Sequence, residues 1–439
     1  VLGVRLFFPV SACGRATASS KVGICFRGSR ADGAFSGNLA PSSADQIYEF
    51  DRAPLGNRIP VLLVPGRAEE FQHDSWWKRF NQVANQNYFF KSNFKLYVFL
   101  YNSKEELDVQ ATSLAKDIRK RFGHLPKTQP LMVVAYSLGG VMIREVFKDI
   151  DMLDRVDTVF AIATPFHGSP IFDPAWFSEY LNPPHRSPLR RFWDRTFYRL
   201  YMFDKSNLTR GMAWDNFDGS KPQFHVDNTP HIIGDQVNAV IPEFQEYPNA
   251  DEIRKKMIIY ASYMENELTR KPGEMPKVPQ YGVTSGPAFL LGTVLPIYGF
   301  TVHSVFTYTN YQLANLATYT VEDPQGRNTH LYRYNDGAIP MSSMLFLKPR
   351  REAYSEDLLD LAALATVKKV RIIADLDHVD MGEYNLRKSH LIRPDLLHPD
   401  EGIRSPNEWV IYDLNQRFRE LCPSLSRCEQ PEENLQPAP

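Results

Sequence analysis

The sequence predicts an α/β fold: a mostly parallel central sheet flanked by helices, interrupted by a large insertion. Two observations predict it. Short apolar runs of strand length alternate with segments of helical periodicity from Arg58 to Pro165, as in successive βαβ units. The alternation stops over Ile171–Arg327 and resumes afterwards, so one interrupted sheet explains the chain better than two tandem domains.

Residues 1–55 are rich in Gly, Ser and Ala without a sustained period, and read as a leader or loose extension. RIPVLLVPG (Arg58–Gly66) is a buried strand closed by a Pro-Gly turn. HDSWWKRFNQVANQ carries apolar residues at helical spacing, and FKLYVFLYN is a second strand. EELDVQATSLAKDIRKRF (Glu105–Phe122) is an amphipathic helix with its acids early and its bases late, as the helix dipole favours. PLMVVAYS is a third strand, followed at once by the helix LGGVMIREVFKDI, and VDTVFAIATP (Val156–Pro165) is a fourth.

The insertion is aromatic, Pro-rich and irregular, with one helix near Asp251–Arg270. The sheet pattern returns with HLYRYNDG, the helix EDLLDLAALATV and the strand KKVRIIADLD. The predicted layout is therefore a core of residues 56–170 and 328–422, a cap or lid at 171–327, and a polar tail at 423–439 with a disordered composition.

Composition narrows the function. The chain has 439 residues, 23% of them charged and 43% hydrophobic, and a formal net charge of -1. Nothing in that balance argues for nucleic acid or an anionic membrane surface. No apolar run reaches the roughly 20 residues of a membrane-spanning helix. There is no HExxH, no zinc spacing of Cys and His, and no Gly-rich phosphate loop.

The opening VLGVRLFFPVSACGRA fits the remnant of an export signal, and its VSAC also matches a lipoprotein cleavage pattern. Export is the expected destination and the cytoplasm the alternative. Cys13, Cys25, Cys422 and Cys428 form two close pairs, which suit either two short-loop disulfides or four free thiols. Asn207-Leu208-Thr209 fits the N-glycosylation pattern.

The candidate chemistry lies in LMVVAYSLGGVMIREVF, where an apolar strand ends in a serine flanked by small residues and a helix begins. A hydroxyl is a poor nucleophile until a base takes its proton and donors stabilise the oxyanion that follows. A sharp strand-to-helix turn presents Ser137 to such a base and requires small residues two before and two after it, here Ala135 and Gly139. The same turn puts the backbone N–H of Leu138 at a helix N-terminus, facing the developing negative charge.

AYSLGG resembles the nucleophile elbow of the α/β-hydrolase fold, the G-x-S-x-G pattern, with Ala135 in the first position as the lipase branch tolerates. The resemblance covers roughly Arg58–Pro170 and Leu331–Met381 and implies a triad in the chain order Ser, Asp or Glu, His. RYNDGAIPMSS, after a short strand, is similar to the lipase segment that carries the triad acid, which makes Asp336 that acid. VRIIADLDHVDM places His378 just past the last strand as the base. His330 precedes the acid, and His390 and His398 lie well beyond the strand end. Asp375, Asp377 and Asp380 crowd His378, and one of them as tuner or as replacement for Asp336 stays open.

LLVPGRAEEF resembles the loop that supplies the second oxyanion donor. Pro65-Gly66 stands where lipases usually have His-Gly, which leaves the donor role to the backbone N–H of Arg67. ATPFHGSP is also lipase-like, and His167 reads as a structural or pocket residue rather than a catalyst.

The resemblance implies a serine carboxylic-ester hydrolase, with an ester or lipid substrate and no cofactor. Some lipases of this kind hold a structural calcium, but no loop here specifies one. The aromatic and aliphatic cap suits an acyl-chain pocket and contact with a lipid interface. Two alternatives stand: an acyltransferase that passes the acyl group to an alcohol, and a catalytically silent binding member of the fold.

Overall fold

The computed structural model describes residues 46–66, 76–101, 105–126, 129–169, 249–264, 310, 320–322, 328–330, 334–348, 358–374, 376–378, 380–382 and 405–424. The chain divides into two units, Val1–Ser43 and Ala44–Pro439, and every described residue belongs to the second.

A seven-stranded sheet organises the described residues, in the order β1-β3-β2-β4-β5-β6-β9. Its strands are β1 (Ile47–Glu49), β2 (Ile59–Val64), β3 (Phe94–Phe99), β4 (Leu131–Tyr136), β5 (Val156–Ile162), β6 (Met257–Tyr263) and β9 (Lys369–Ala374). β1 pairs antiparallel with β3, and every other pairing is parallel. β2, β3, β4 and β6 are buried at every position, as strands covered on both faces must be. A separate antiparallel pair joins β7 (Thr320–Glu322) to β8 (Asn328–His330).

The strand order explains where a site can form. After β2 the chain moves to one side to build β3, then crosses back to build β4 on the other side of β2. Ligands of open α/β sheets bind beyond the strands' carboxyl ends at such a reversal. Pro65-Gly66 follows β2, and Ser137 follows β4, so both segments lie at this switch point.

Helices α1 (Trp76–Gln86), α2 (Tyr88–Asn93), α3 (Leu107–Phe122), α4 (Leu138–Val146) and α5 (Ile150–Arg155) lie in the connections from β2 to β5. α3 carries Asp108 in its first turn and Arg119, Lys120 and Arg121 in its last, the expected polarity. α6 (Ala250–Lys256) leads into β6, and α7 (Met341–Met344) and α8 (Leu358–Leu364) precede β9.

The last α-helix among the described residues, α9 (Pro406–Leu421), fastens the sheet together. Ser405 caps it by accepting the N–H of Glu408 at 3.2 Å, with Pro406 in the first turn. Its buried Asp413 receives Arg371 of β9 through two hydrogen bonds, at 2.6 and 2.7 Å, and the Tyr260 hydroxyl of β6 at 2.6 Å. Burial of the Asp413 carboxyl opposes ionisation, but these donors and Lys369 outweigh it and hold the group below the usual carboxylate range. Further along α9, Arg417 grips Asp157 at the start of β5, and Phe418 packs edge-on against Phe94 at the start of β3.

Two expectations need correction. The core begins before residue 56, because Ile47–Glu49 is an edge strand. The helix expected over Asp251–Arg270 stops at Lys256, and Met257–Tyr263 is an interior strand between β5 and β9. The sheet therefore runs into the range expected to be cap. Of HLYRYNDG, His330 ends the short β8, residues 331–333 lie outside the described residues, and the Asn335 carbonyl accepts the N–H of Met264, just past β6. The Arg67 loop, Cys13, Cys25, Cys428, Asn207 and most of 171–327 and 423–439 lie outside the described residues.

Candidate active site

Ser137 joins β4 to α4 with φ 51° and ψ -120°, a conformation that L-residues avoid and that costs on the order of 1–3 kcal/mol. Its neighbours hold it there. The Ser137 N–H donates to the Ile162 carbonyl of β5 at 2.8 Å, and the Gly140 N–H donates back to the Ser137 carbonyl at 3.0 Å. A Cβ on Gly139 would lie 2.1 Å from the Val64 carbonyl oxygen, and one on Gly140 would lie 2.1 Å from Thr164 Oγ1. Backbone and side chain thus leave room for glycine alone at both positions, which lets α4 start against the end of β2.

Asp336 lies in the turn Asn335–Pro340. Met264, just past β6, donates its N–H to the Asn335 carbonyl at 2.9 Å, and Asn310 Nδ2 reaches the same carbonyl at 2.9 Å. Gly337 sits at φ 86°, its N–H bonded to Asn335 Oδ1 at 2.9 Å. Asp336 is wholly buried, and its Oδ1 accepts the N–H groups of Ala338 and Ile339 at 2.9 and 2.7 Å. One carboxylate oxygen is therefore fixed, and the other is turned to the imidazole.

His378 follows β9 and closes the arrangement. Its Nδ1 lies 2.8 Å from Asp336 Oδ2, and its Nε2 lies 2.9 Å from Ser137 Oγ. A carboxylate only accepts, so in the neutral ring Nδ1 carries the proton and Nε2 faces the hydroxyl as acceptor. Ser137, Asp336 and His378 are thus brought together from three distant parts of the chain. Asp377, beside His378, is buried, but the Nδ1 partner is Asp336. Asp375 and the side chain of Asp380 lie outside the described residues.

Leu138 is the first residue of α4, so its N–H has no carbonyl four residues back within the helix. Arg67 lies outside the described residues, but the two residues before it are placed. The Tyr101 hydroxyl lies 3.0 Å from the carbonyls of both Pro65 and Gly66 and steadies the loop beside the elbow. His167 is wholly buried, with Nε2 2.8 Å from the Leu347 carbonyl and its N–H on Ser343 Oγ at 3.0 Å. Those contacts suit a residue that ties two loops together.

Sequence reasoning missed the residues around Ser137, Asp336 and His378. Tyr136 donates its hydroxyl to the His378 carbonyl at 2.6 Å and stacks on the imidazole with centroids 5.6 Å apart. Trp76 stacks on Tyr136 at 5.5 Å and donates its indole N–H to Asn407 at 3.0 Å. Tyr136 adjoins the serine, but nothing in its local sequence marks it as a partner of His378. Nothing local marks Trp76, Tyr101, Asn310 or Asn407.

Among the described residues no group of three or more His, Cys, Asp or Glu side chains could hold a metal ion. No helix among them is long and apolar enough to cross a membrane. Cys422 is disulfide-bonded.

The strand reversal, the antiparallel edge strand and the positive-φ serine after a central strand together define the α/β-hydrolase fold. No protein-family model and no curated protein matches the chain. Solved structures do show likenesses. The mature Bacillus licheniformis lipase BlEst2 is 13% identical, with 77% of this chain and 94% of that one covered and a TM-score of 0.37. EstA from Clostridium botulinum is 13% identical over 74% and 83%, with a TM-score of 0.33. Aspergillus fumigatus lipase B is 19% identical over 26% of each chain, with a TM-score of 0.21. The fold rests on strand order and elbow rather than on these likenesses.

Proposed function

We propose that the chain is a serine hydrolase of carboxylic esters, lipase-like in preferring acyl lipids, that works through an acyl-enzyme on Ser137. The observation that carries this reading is the continuous chain from Ser137 Oγ to His378 Nε2 at 2.9 Å and from Nδ1 to Asp336 Oδ2 at 2.8 Å. His378 takes the hydroxyl proton as Oγ attacks the ester carbonyl, and Asp336 orients the ring and stabilises the imidazolium. The N–H groups of Leu138 and Arg67 stabilise the tetrahedral oxyanion. The imidazolium then protonates the departing alcohol, and water, deprotonated by the same ring, releases the acid.

The aromatic and aliphatic segments WFSEYL, RRFWDRTFYRLYMF and AFLLGTVLPIYGF support an apolar acyl group over a charged one. The disulfide at Cys422 supports an oxidising compartment, hence export.

The test is hydrolysis of p-nitrophenyl esters of increasing chain length, a triglyceride and a phospholipid, by the native chain and by Ser137→Ala. Turnover that rises with acyl length and disappears in Ser137→Ala is expected. A rate unchanged in Ser137→Ala would overturn the reading.

A further inference from the structure

Tyr136 is the last residue of β4 and Ser137 the next in the chain, so one rigid piece of backbone carries both side chains. The residue before the nucleophile thus reaches the base. Its hydroxyl donates to the backbone carbonyl of His378 at 2.6 Å, while the His378 N–H donates to the Asp336 carbonyl at 3.0 Å. The peptide groups on the two sides of His378 are therefore tied separately, one to the strand of the nucleophile and one to the turn of the acid.

The Tyr136 ring lies 22° from the plane of the imidazole. The loop beyond His378 is held as well. Asn407 Nδ2 donates to the Gly382 carbonyl at 3.4 Å, and Asn407 Oδ1 accepts the Trp76 indole, which stacks on Tyr136. Asn407 is wholly buried, and a Cβ on Gly382 would stand 3.3 Å from Trp76 and 3.4 Å from Tyr136. His378 and Gly382 are thus each held through a backbone carbonyl, the first by Tyr136 and the second by Asn407.

We propose that Tyr136 is a positioning residue that sets the His378 imidazole relative to Ser137, with Trp76 and Asn407 as its support. This rests on the hydrolase reading above. A nucleophile and its base need sub-ångström placement, and a misplacement near 1 Å costs about 100-fold in rate. Here the strand that presents the nucleophile also holds the loop that carries the base.

Tyr136→Phe removes one oxygen and keeps the ring. It is assayed on a p-nitrophenyl ester in the native background and in His378→Ala, with folding checked by circular dichroism. The expected result is a roughly 10- to 100-fold loss of kcat with KM within about twofold. In His378→Ala the same substitution should cost less than about threefold, because no imidazole remains to be placed. An equal loss in both backgrounds, or no loss in the native one, overturns the proposal. Should Tyr136→Phe not fold, Asn407→Ala carries the same two-background comparison. If activity survives in Ser137→Ala, the hydrolase reading fails. If activity depends on Ser137 but not on the Tyr136 hydroxyl, only this inference fails.

Discussion

Asp336 and His378 are joined twice, once through the backbone and once through the side chains. The His378 N–H reaches the Asp336 carbonyl at 3.0 Å, and Nδ1 meets Oδ2 at 2.8 Å. Asp336 thus holds both the backbone and the ring of His378. Asp336→Asn keeps the shape but offers an amide donor to Nδ1, which favours the wrong tautomer. Steady-state kinetics should show kcat lower by a factor on the order of 10⁴ with the fold intact. A normal kcat would pass the role of acid to another carboxylate, with Asp377 the first to test.

Gly139→Ala should break the elbow. The new Cβ would stand 2.1 Å from the Val64 oxygen and 2.7 Å from the Pro65 oxygen, both backbone atoms at the end of β2. Neither can rotate away, so strand and helix must separate. We expect a loss of about 3 kcal/mol in urea unfolding and no labelling of Ser137 by a fluorophosphonate.

Much of the core was legible in the sequence because strands such as β2 and β4 are buried at every position and read as apolar runs bounded by turns. The three segments of the candidate site were legible because turn chemistry marks them: small residues around Ser137, Asn-Asp-Gly at Asp336, and a polar cluster after an apolar strand at His378. Strand β6 was not legible, because α6 runs into Met257 with no Gly or Pro between them and a short apolar run suits either structure. The first turn of α9 carried a signal that was overlooked, since Ser405-Pro406-Asn407-Glu408 is a capping box with proline in the first turn. Tyr136 could not be read locally, because its partner is 242 residues away.

That cap yields its own prediction. Ser405→Ala removes the acceptor for the Glu408 N–H and should cost about 1 kcal/mol in thermal or urea unfolding. Because Asn407 lies in the same turn, a lower kcat should accompany the loss of stability, whereas a cap alone would affect stability only.

Asp413 should shape acid unfolding. Its buried carboxyl is held low by Arg371, Lys369 and Tyr260 against the opposing effect of burial. A depressed folded value means that the contribution is complete above the unfolded aspartate value of about 3.9 and is lost as pH falls through the folded value. Asp413→Asn removes the charge that receives Arg371, Lys369 and Tyr260 and should cost about 3–5 kcal/mol at neutral pH. It should also flatten the decline in stability below pH 4, as measured by urea unfolding across a pH series.

The most direct test of the account is fluorophosphonate labelling of the folded chain, followed by intact mass and peptide mapping. A nucleophile activated through His378 and Asp336 predicts one adduct per chain, on the peptide that contains Ser137, absent in Ser137→Ala and slowed in Asp336→Asn. No adduct on folded protein, or an adduct that persists in Ser137→Ala, would contradict it.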